Sequence, residues 1–288
     1  MRRYRSIAYQ AQSVPTMEGA GVKLRRAFGF RDPSRFDPFL LLDDFRGDEP
    51  DDYIKGFPWH PHRGIETITY MLEGSAEHGD SLGNKGVIGP GAVQWMTAGS
   101  GIIHQEMPKP GEDGRMGGFQ LWANLPRASK MMDPRYQELD ADQIPEVEIE
   151  GGRVKVVAGS VAGVRGPVQD VVIEPEYLDL ELGPGAVYEH PTTPGHTQIA
   201  YVVTGQASFG AQDEGRSQQV PARTVLLFGD GEALRIETGD EPVHALLISG
   251  KPLKEPIAWQ GPIVMNTQEE LATAFEEYQR GTFIKVKN

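Results

Sequence analysis

Two short patterns carry most of the chemistry legible in this sequence: His60-Pro61-His62 and His104-Gln105-Glu106. In an extended strand, residues i and i+2 project to the same face, roughly 6.5–7 Å apart. Two such pairs on neighbouring strands would aim four donor groups at one point. Three imidazoles and one carboxylate suit a first-row divalent ion, and Fe, Mn, Co, Ni and Zn all remain open on that donor set. Four protein ligands on an octahedral ion would leave two positions for water, O2 or substrate. Pro61 has no N–H to give to a sheet, so the first pair belongs at a strand end or on an edge strand. The remaining histidines, His78, His190, His196 and His244, lie outside these patterns and read as structural or surface residues.

The elements that must position these pairs are strands. Among 288 residues there are 35 Gly and 22 Pro, spread as punctuation between apolar runs. The runs alternate: in Tyr177-Leu178-Asp179-Leu180-Glu181-Leu182 the leucines take one face and the acids the other. The segments 65–72, 153–157, 199–203, 224–228 and 244–248 read the same way, as half-buried strands. Gly89-Pro90-Gly91, Gly183-Pro184-Gly185 and Gly229-Asp230-Gly231 supply turns between them. Many short strands with Gly/Pro turns predict an all-β barrel or sandwich. One helix is expected near the end. Thr267 and Glu270 form a capping-box pattern, Leu271, Phe275 and Tyr278 follow at helical spacing, and Gly281 supplies a stop.

Residues 126–152 read as a connector, acidic and poor in large apolar groups from Glu138 to Glu150. That predicts one domain over 1–135 and a second over 136–288, the second carrying the helix. The halves also resemble each other. Tyr70-Met71-Leu72-Glu73-Gly74 parallels Tyr201-Val202-Val203-Thr204-Gly205, and Pro90 parallels Pro221, both at an offset of 131. A duplicated β-domain accounts for this repeat.

Composition narrows the function. With 28 Lys+Arg against 41 Asp+Glu the net charge is −13, so there is no basic surplus to neutralise the phosphates of a nucleic acid. Cysteine is absent, which excludes disulfides, thiolate metal sites and cysteine nucleophiles. No run of 18 apolar residues exists to form a membrane helix. The arginine-rich start, residues 1–12, has no apolar region of the kind a secretory signal needs. A cytoplasmic location is expected.

At the metal-type residues the sequence resembles a known family. Gly56-Phe57-Pro58-Trp59-His60-Pro61-His62-Arg63-Gly64-Ile65-Glu66-Thr67 and Gln94-Trp95-Met96-Thr97-Ala98-Gly99-Ser100-Gly101-Ile102-Ile103-His104-Gln105-Glu106-Met107 are similar to the pirin family of the cupin superfamily. The resemblance continues through Gln120-Leu121-Trp122-Ala123-Asn124-Leu125 to Gly261-Pro262-Ile263-Val264-Met265-Asn266-Thr267. It implies a bicupin: two tandem cupin β-barrel (double-stranded β-helix) domains with one mononuclear metal, usually Fe(II), in the N-terminal one. By position the ligands would be His60, His62, His104 and Glu106. The general cupin pattern instead expects a ligand Glu where Glu66 stands. The pirin pattern and strand parity with His104 favour Glu106, leaving Glu66 to support the ligands from behind or to serve structure.

Adding 131 to the ligand positions gives Pro191, Thr193, Arg235 and Glu237, so the second barrel is expected to hold no metal. For activity, the family implies quercetin 2,3-dioxygenase chemistry, opening a flavonol with O2, with Glu106 both ligand and proton acceptor. Trp59, Met71, Met96, Met107, Phe119 and Trp122 are candidates for the walls of an aromatic-tolerant cavity, though any one of them more often fills a core. Other family members imply an alternative: a metal- or redox-sensing module that binds a protein partner and regulates transcription or a metabolic enzyme. A metal-dependent isomerase or sugar-binding cupin rests on fold analogy alone.

Overall fold

The structure, a computed structural model, describes residues 2–211 and 219–286. Along the chain the strands are β1 (Ile7–Gln12), β2 (Val14–Glu18), β3 (Val22–Phe28), β4 (Phe39–Asp44), β5 (Phe57–His62), β6 (Ile65–Glu73), β7 (Ser75–Asp80), β8 (Lys85–Ile88), β9 (Val93–Thr97), β10 (Ile102–Lys109), β11 (Gly117–Asn124) and β12 (Arg135–Leu139). There follow β13 (Glu146–Ile149), β14 (Gly152–Ala158), β15 (Ser160–Val161), β16 (Val164–Arg165), β17 (Glu176–Leu182), β18 (Val187–Pro191), β19 (Thr197–Phe209), β20 (Val220–Pro221), β21 (Thr224–Phe228), β22 (Ala233–Glu237), β23 (Val243–Gly250), β24 (Ala258–Gln260) and β25 (Ile263–Met265). The helix α1 spans Gln268–Gln279. Every alternating run expected to be a strand is one.

Two compact units result. Unit I contains Val14–Arg35, Phe39–Ala141 and Leu253–Asn288; unit II contains Met1–Ser13, Phe36–Pro38 and Asp142–Pro252. Unit I has a seven-stranded antiparallel sheet in the order β12-β9-β6-β11-β4-β3-β2 and a four-stranded sheet in the order β5-β10-β7-β8. Unit II repeats both. Its larger path is β1-β21-β19-β23-β17-β14-β13, while β18 pairs β22, β22 pairs the end of β19, and β19 pairs β20. The single long β19 thus does the work of β6 and β7. Strand for strand the topology matches, which is the structural counterpart of the sequence repeat.

The units are not the sequence halves 1–135 and 136–288. The strand that opens each repeat pairs in the sheet of the other: β1 lies along β21, with Tyr9 opposite Leu227, and β12 lies along β9, with Gln137 opposite Trp95. The connector is likewise not irregular throughout, because it contains β12 and β13. Both are edge strands with no fully buried residue, which explains their weak apolar signal. The C-terminal helix belongs to unit I, where Leu271 and Ala274 are buried with Ala258, Ile263, Met265 and Phe283. In unit II the core is aliphatic, built on residues such as Val154, Leu178, Leu180, Leu226, Leu234 and Ile236. Each such side chain contributes roughly 1.5–3 kcal/mol through burial, so the fold rests on these inner faces.

Helix α1 begins as expected. The Thr267 hydroxyl accepts from the Glu270 amide at 3.2 Å, and the Glu270 carboxylate accepts from the Thr267 amide at 3.1 Å. Thr267→Ala should therefore lower unfolding stability by about 1 kcal/mol, measured by denaturant titration. A loss below about 0.3 kcal/mol would show that packing alone starts this helix.

Candidate metal centre

The site is built where the edge strand β5 meets β10 in unit I. Register places His60 directly opposite His104 and His62 opposite Ile102. Pro61, as its missing N–H requires, lies on the edge strand of the four-stranded sheet. His60, His62 and His104 each bring one ring nitrogen into a group within 4.8 Å. It is the one such group among the described residues.

Hydrogen bonding fixes the tautomers of two rings. His60 Nδ1 lies 2.8 Å from the Pro58 carbonyl oxygen, and His62 Nδ1 lies 3.0 Å from that of Pro262. A carbonyl only accepts, so both Nδ1 atoms carry the proton, and in the neutral rings it is the Nε2 atoms that present lone pairs. Those Nε2 atoms are 3.0 Å apart. Two lone pairs at that distance repel unless a cation joins them. His104 is 1% exposed, and neither of its ring nitrogens has a hydrogen-bond partner. Burial, followed by the neighbouring imidazoles, holds the His62 and His104 pKa values well below the ordinary range. Both are therefore neutral at pH 7, the form that ligates a metal. Carbonyls oriented behind ligand rings are a common support for metal sites. Two donors 3.0 Å apart reach an ion at roughly 2.1 Å only with an angle of about 90°, which fits octahedral better than tetrahedral coordination. The residues fit a single metal ion.

Glu106 is not in the close trio. Its strand has an irregularity in the β5–β10 register between His104 and Glu106. It does line the same cavity as His60 and His62. Thr69 Oγ1 lies 2.9 Å from Glu106 Oε1 and 2.8 Å from Gln120 Oε1, and can give its one proton to either. Glu66 is elsewhere. On β6 it has the opposite parity to Thr69, so it projects to the other face of the sheet. There it is 3% exposed and accepts from Thr97 Oγ1 at 2.6 Å. The expectation that it supports the ligands from behind is thereby corrected.

The cavity holds about 390 Å³. Its apolar walls include Leu24, Leu41, Phe45, Phe57 and Trp122. Trp122 stands edge-on to the His62 ring, centroids 5.0 Å apart. Of the cavity candidates chosen from sequence, Trp122 lines the space. Trp59 is 54% exposed, Met96 packs with Leu40 and Ile65, and Phe119 has the parity of the opposite sheet face. Met71 lies in the core cluster that includes Phe45 and Phe57.

Sequence reasoning missed three supports. His78 reads from sequence as a structural or surface histidine, yet it is buried, pairs opposite Glu106 on β7, and sits 5.4 Å from the His104 ring and 5.0 Å from Tyr136. Pro262 and Arg63 are the others. Arg63 is 2% exposed and donates to the Ser100 carbonyl, the Phe283 carbonyl and Glu277 at 2.7–2.8 Å, tying the loop after His62 to the helix region. A lone arginine beside a histidine pair gave no hint of this. His190 pairs with Glu176 at 2.7 Å and His244 with Asp179, so these two serve structure.

In unit II the offset needs correcting by two residues at one strand. Glu189, not Pro191, lies opposite Arg235, as His60 lies opposite His104. Pro191 then corresponds to His62, and Thr193 to neither. The shift does not restore a site. Arg235 donates to Glu189 at 3.1 Å and to Glu237, and Tyr4 donates to Glu189. A guanidinium occupies the place of the cation.

The Pirin family model matches residues 21–123, and that for the pirin C-terminal cupin domain matches residues 177–284. A pirin-like protein of Caulobacter vibrioides is 45% identical over 271 residues, covering 93% of this chain and 95% of its own. This chain belongs to the pirin family. A Pseudomonas aeruginosa pirin relative, provisionally named a quercetin 2,3-dioxygenase, is 44% identical over 287 residues, covering 98% of this chain and 99% of its own. The crystal structure of a quercetin 2,3-dioxygenase from Acinetobacter baumannii superposes with a TM-score of 0.88 at 31% identity, covering 97% of this chain and 98% of that one. No helix among the described residues is long and apolar enough to cross a membrane.

Replacing His62 and His104 together with Ala should abolish bound metal, measured by elemental analysis, while circular dichroism stays that of a folded β protein. Glu66→Gln should leave the wild-type stoichiometry of one ion per chain. Full metal content in the double variant, or two ions in the wild type, would contradict this assignment.

Proposed function

We propose that this protein is a pirin-type quercetin 2,3-dioxygenase, holding one iron ion on His60, His62, His104 and Glu106 and opening flavonols with O2. The observation that carries the reading is the pair of imidazole nitrogens 3.0 Å apart on the wall of a 390 Å³ cavity that Leu24, Leu41, Phe45, Phe57 and Trp122 help to line. That volume is within the roughly 300–1,000 Å³ of small-molecule sites. The names of the Pseudomonas and Acinetobacter relatives support the substrate class. The protein is read as cytoplasmic, with a flavonol and O2 as its small-molecule partners.

When bound, the ion would supply Lewis acidity to the substrate's enolate oxygen and, as iron, redox chemistry with O2. The chain's own residues do the rest. Glu106 accepts the proton of the flavonol 3-hydroxyl, and Thr69 holds one of its oxygens in place. Pro58 and Pro262 hold the His60 and His62 rings so that both Nε2 atoms face the same point. Leu24, Leu41, Phe45 and Phe57 keep water away from the reacting ring and accept its flat apolar faces.

Iron-loaded protein prepared without oxygen, then given air and quercetin, should consume O2 and release carbon monoxide. A flavone lacking the 3-hydroxyl should not react. Glu106→Gln should lower kcat at least tenfold, in samples whose iron content matches wild type. No carbon monoxide from fully loaded wild type would overturn the proposal and favour a metal-sensing module that binds a protein partner.

A further inference from the structure

One row of side chains crosses the cavity wall at right angles to the strands of the larger sheet. Register aligns Thr69 on β6 with Gln120 on β11, Gln120 with Asp43 on β4, and Asp43 with Arg26 on β3. The row begins at Glu106, which Thr69 touches, and runs across three strand spacings, roughly 14 Å in all. Its neighbours on the same wall, Leu24, Leu41 and Trp122, are apolar. At its far end is a charged pair inside the cavity. Arg26 Nε donates to Asp43 Oδ1 at 2.8 Å and an Arg26 terminal nitrogen donates to Oδ2 at 2.7 Å. The Asp43 side chain is 5% exposed and that of Arg26 14%. Glu18, near the mouth, lies 2.9 Å from the other Arg26 terminal nitrogen.

Such a pair is a costly way to hold a sheet together. Burial pushes the Asp43 carboxyl up to about 6 even with Arg26 alongside, so it ionises less readily here than in water while still bearing charge at pH 7. The pair also has capacity to spare. A carboxylate offers about four acceptor positions, and Arg26 takes one on each oxygen. A guanidinium has five N–H donors, and three are used on Asp43 and Glu18. An acceptor and a donor therefore stand side by side, flanked by the apolar Leu24, Leu41 and Trp122.

We propose that Arg26 and Asp43 are specificity-determining residues that receive vicinal hydroxyls at the end of a flat aromatic ligand remote from the histidine trio. One hydroxyl donates to Asp43 while its neighbour's oxygen accepts from Arg26. The inference rests on the flavonol reading and adds to it which flavonols fit: those with adjacent hydroxyls on the pendant ring.

The test separates binding from turnover. Quercetin, which has the adjacent pendant-ring hydroxyls, and galangin, which has none, are titrated without O2 against wild type, Asp43→Asn and Arg26→Lys, followed by fluorescence quenching. Wild type should bind quercetin about tenfold more tightly or better, the range for a hydrogen bond to a charged group. Asp43→Asn should reduce the ratio to within about threefold, chiefly by weakening quercetin while galangin keeps its affinity. Arg26→Lys, which keeps the charge but not the two-pronged contact, should give an intermediate ratio and serves if Asp43→Asn does not fold. Equal affinities in wild type, or a ratio unchanged in the variants, would overturn the inference. Carbon monoxide release is scored separately: preferential binding without turnover would sink the dioxygenase reading and leave this one standing.

Discussion

The site depends on one arrangement: two imidazole nitrogens 3.0 Å apart, both turned to one point. The carbonyls of Pro58 and Pro262 enforce it by taking both Nδ1 protons. Without those carbonyls either ring could turn or change tautomer, and one nitrogen would donate to the other. With them, the repulsion is relieved by a cation. Burial strengthens the requirement, because charging His62 or His104 with a proton would be expensive in that surrounding.

Much of unit I serves to keep this arrangement. β5 is an edge strand, so Pro61 costs no ladder bond. The turn into β6 uses Gly64 at φ +78°, where a side chain would meet the Val264 carbonyl at 2.0 Å. That close approach brings the segment containing Pro262 against the ligands. Lys130 adds to it, donating to the Gly64 and Val264 carbonyls and to Asn124 at 2.6–3.1 Å. Burial lowers this lysine to about 7 against the opposing pull of Glu255 and Glu270, and its three acceptors take up the N–H donors of the ammonium. The C-terminal helix is therefore part of the site's support, through Arg63 and Glu277, and not a peripheral closure.

Unit II shows the same framework without the facing histidines. Where His60 and His104 face each other in unit I, Glu189 and Arg235 face each other here. The guanidinium lies between Glu189 and Glu237 and makes the ion pairs internally. Arginine keeps its charge at any physiological pH, so this position has a permanent cation of its own.

The strands, the helix with its capping box, the His60, His62 and His104 trio and the duplication were legible in the sequence. Each is a local or periodic property: parity on a strand, spacing on a helix, an offset between repeats. Tertiary structure decided what periodicity does not encode. It exchanged β1 and β12 between the repeats, because edge pairing depends on which sheet has a free edge and not on chain order. It turned Glu66 away, since two carboxylates near a histidine pair look alike until the sheet face is known. It also placed His78 against His104, Pro262 behind His62, Arg63 against the helix region, and the row from Thr69 to Arg26 across the cavity wall. Those contacts join residues far apart in the chain. Their positions follow from strand register and loop closure, which no local pattern carries.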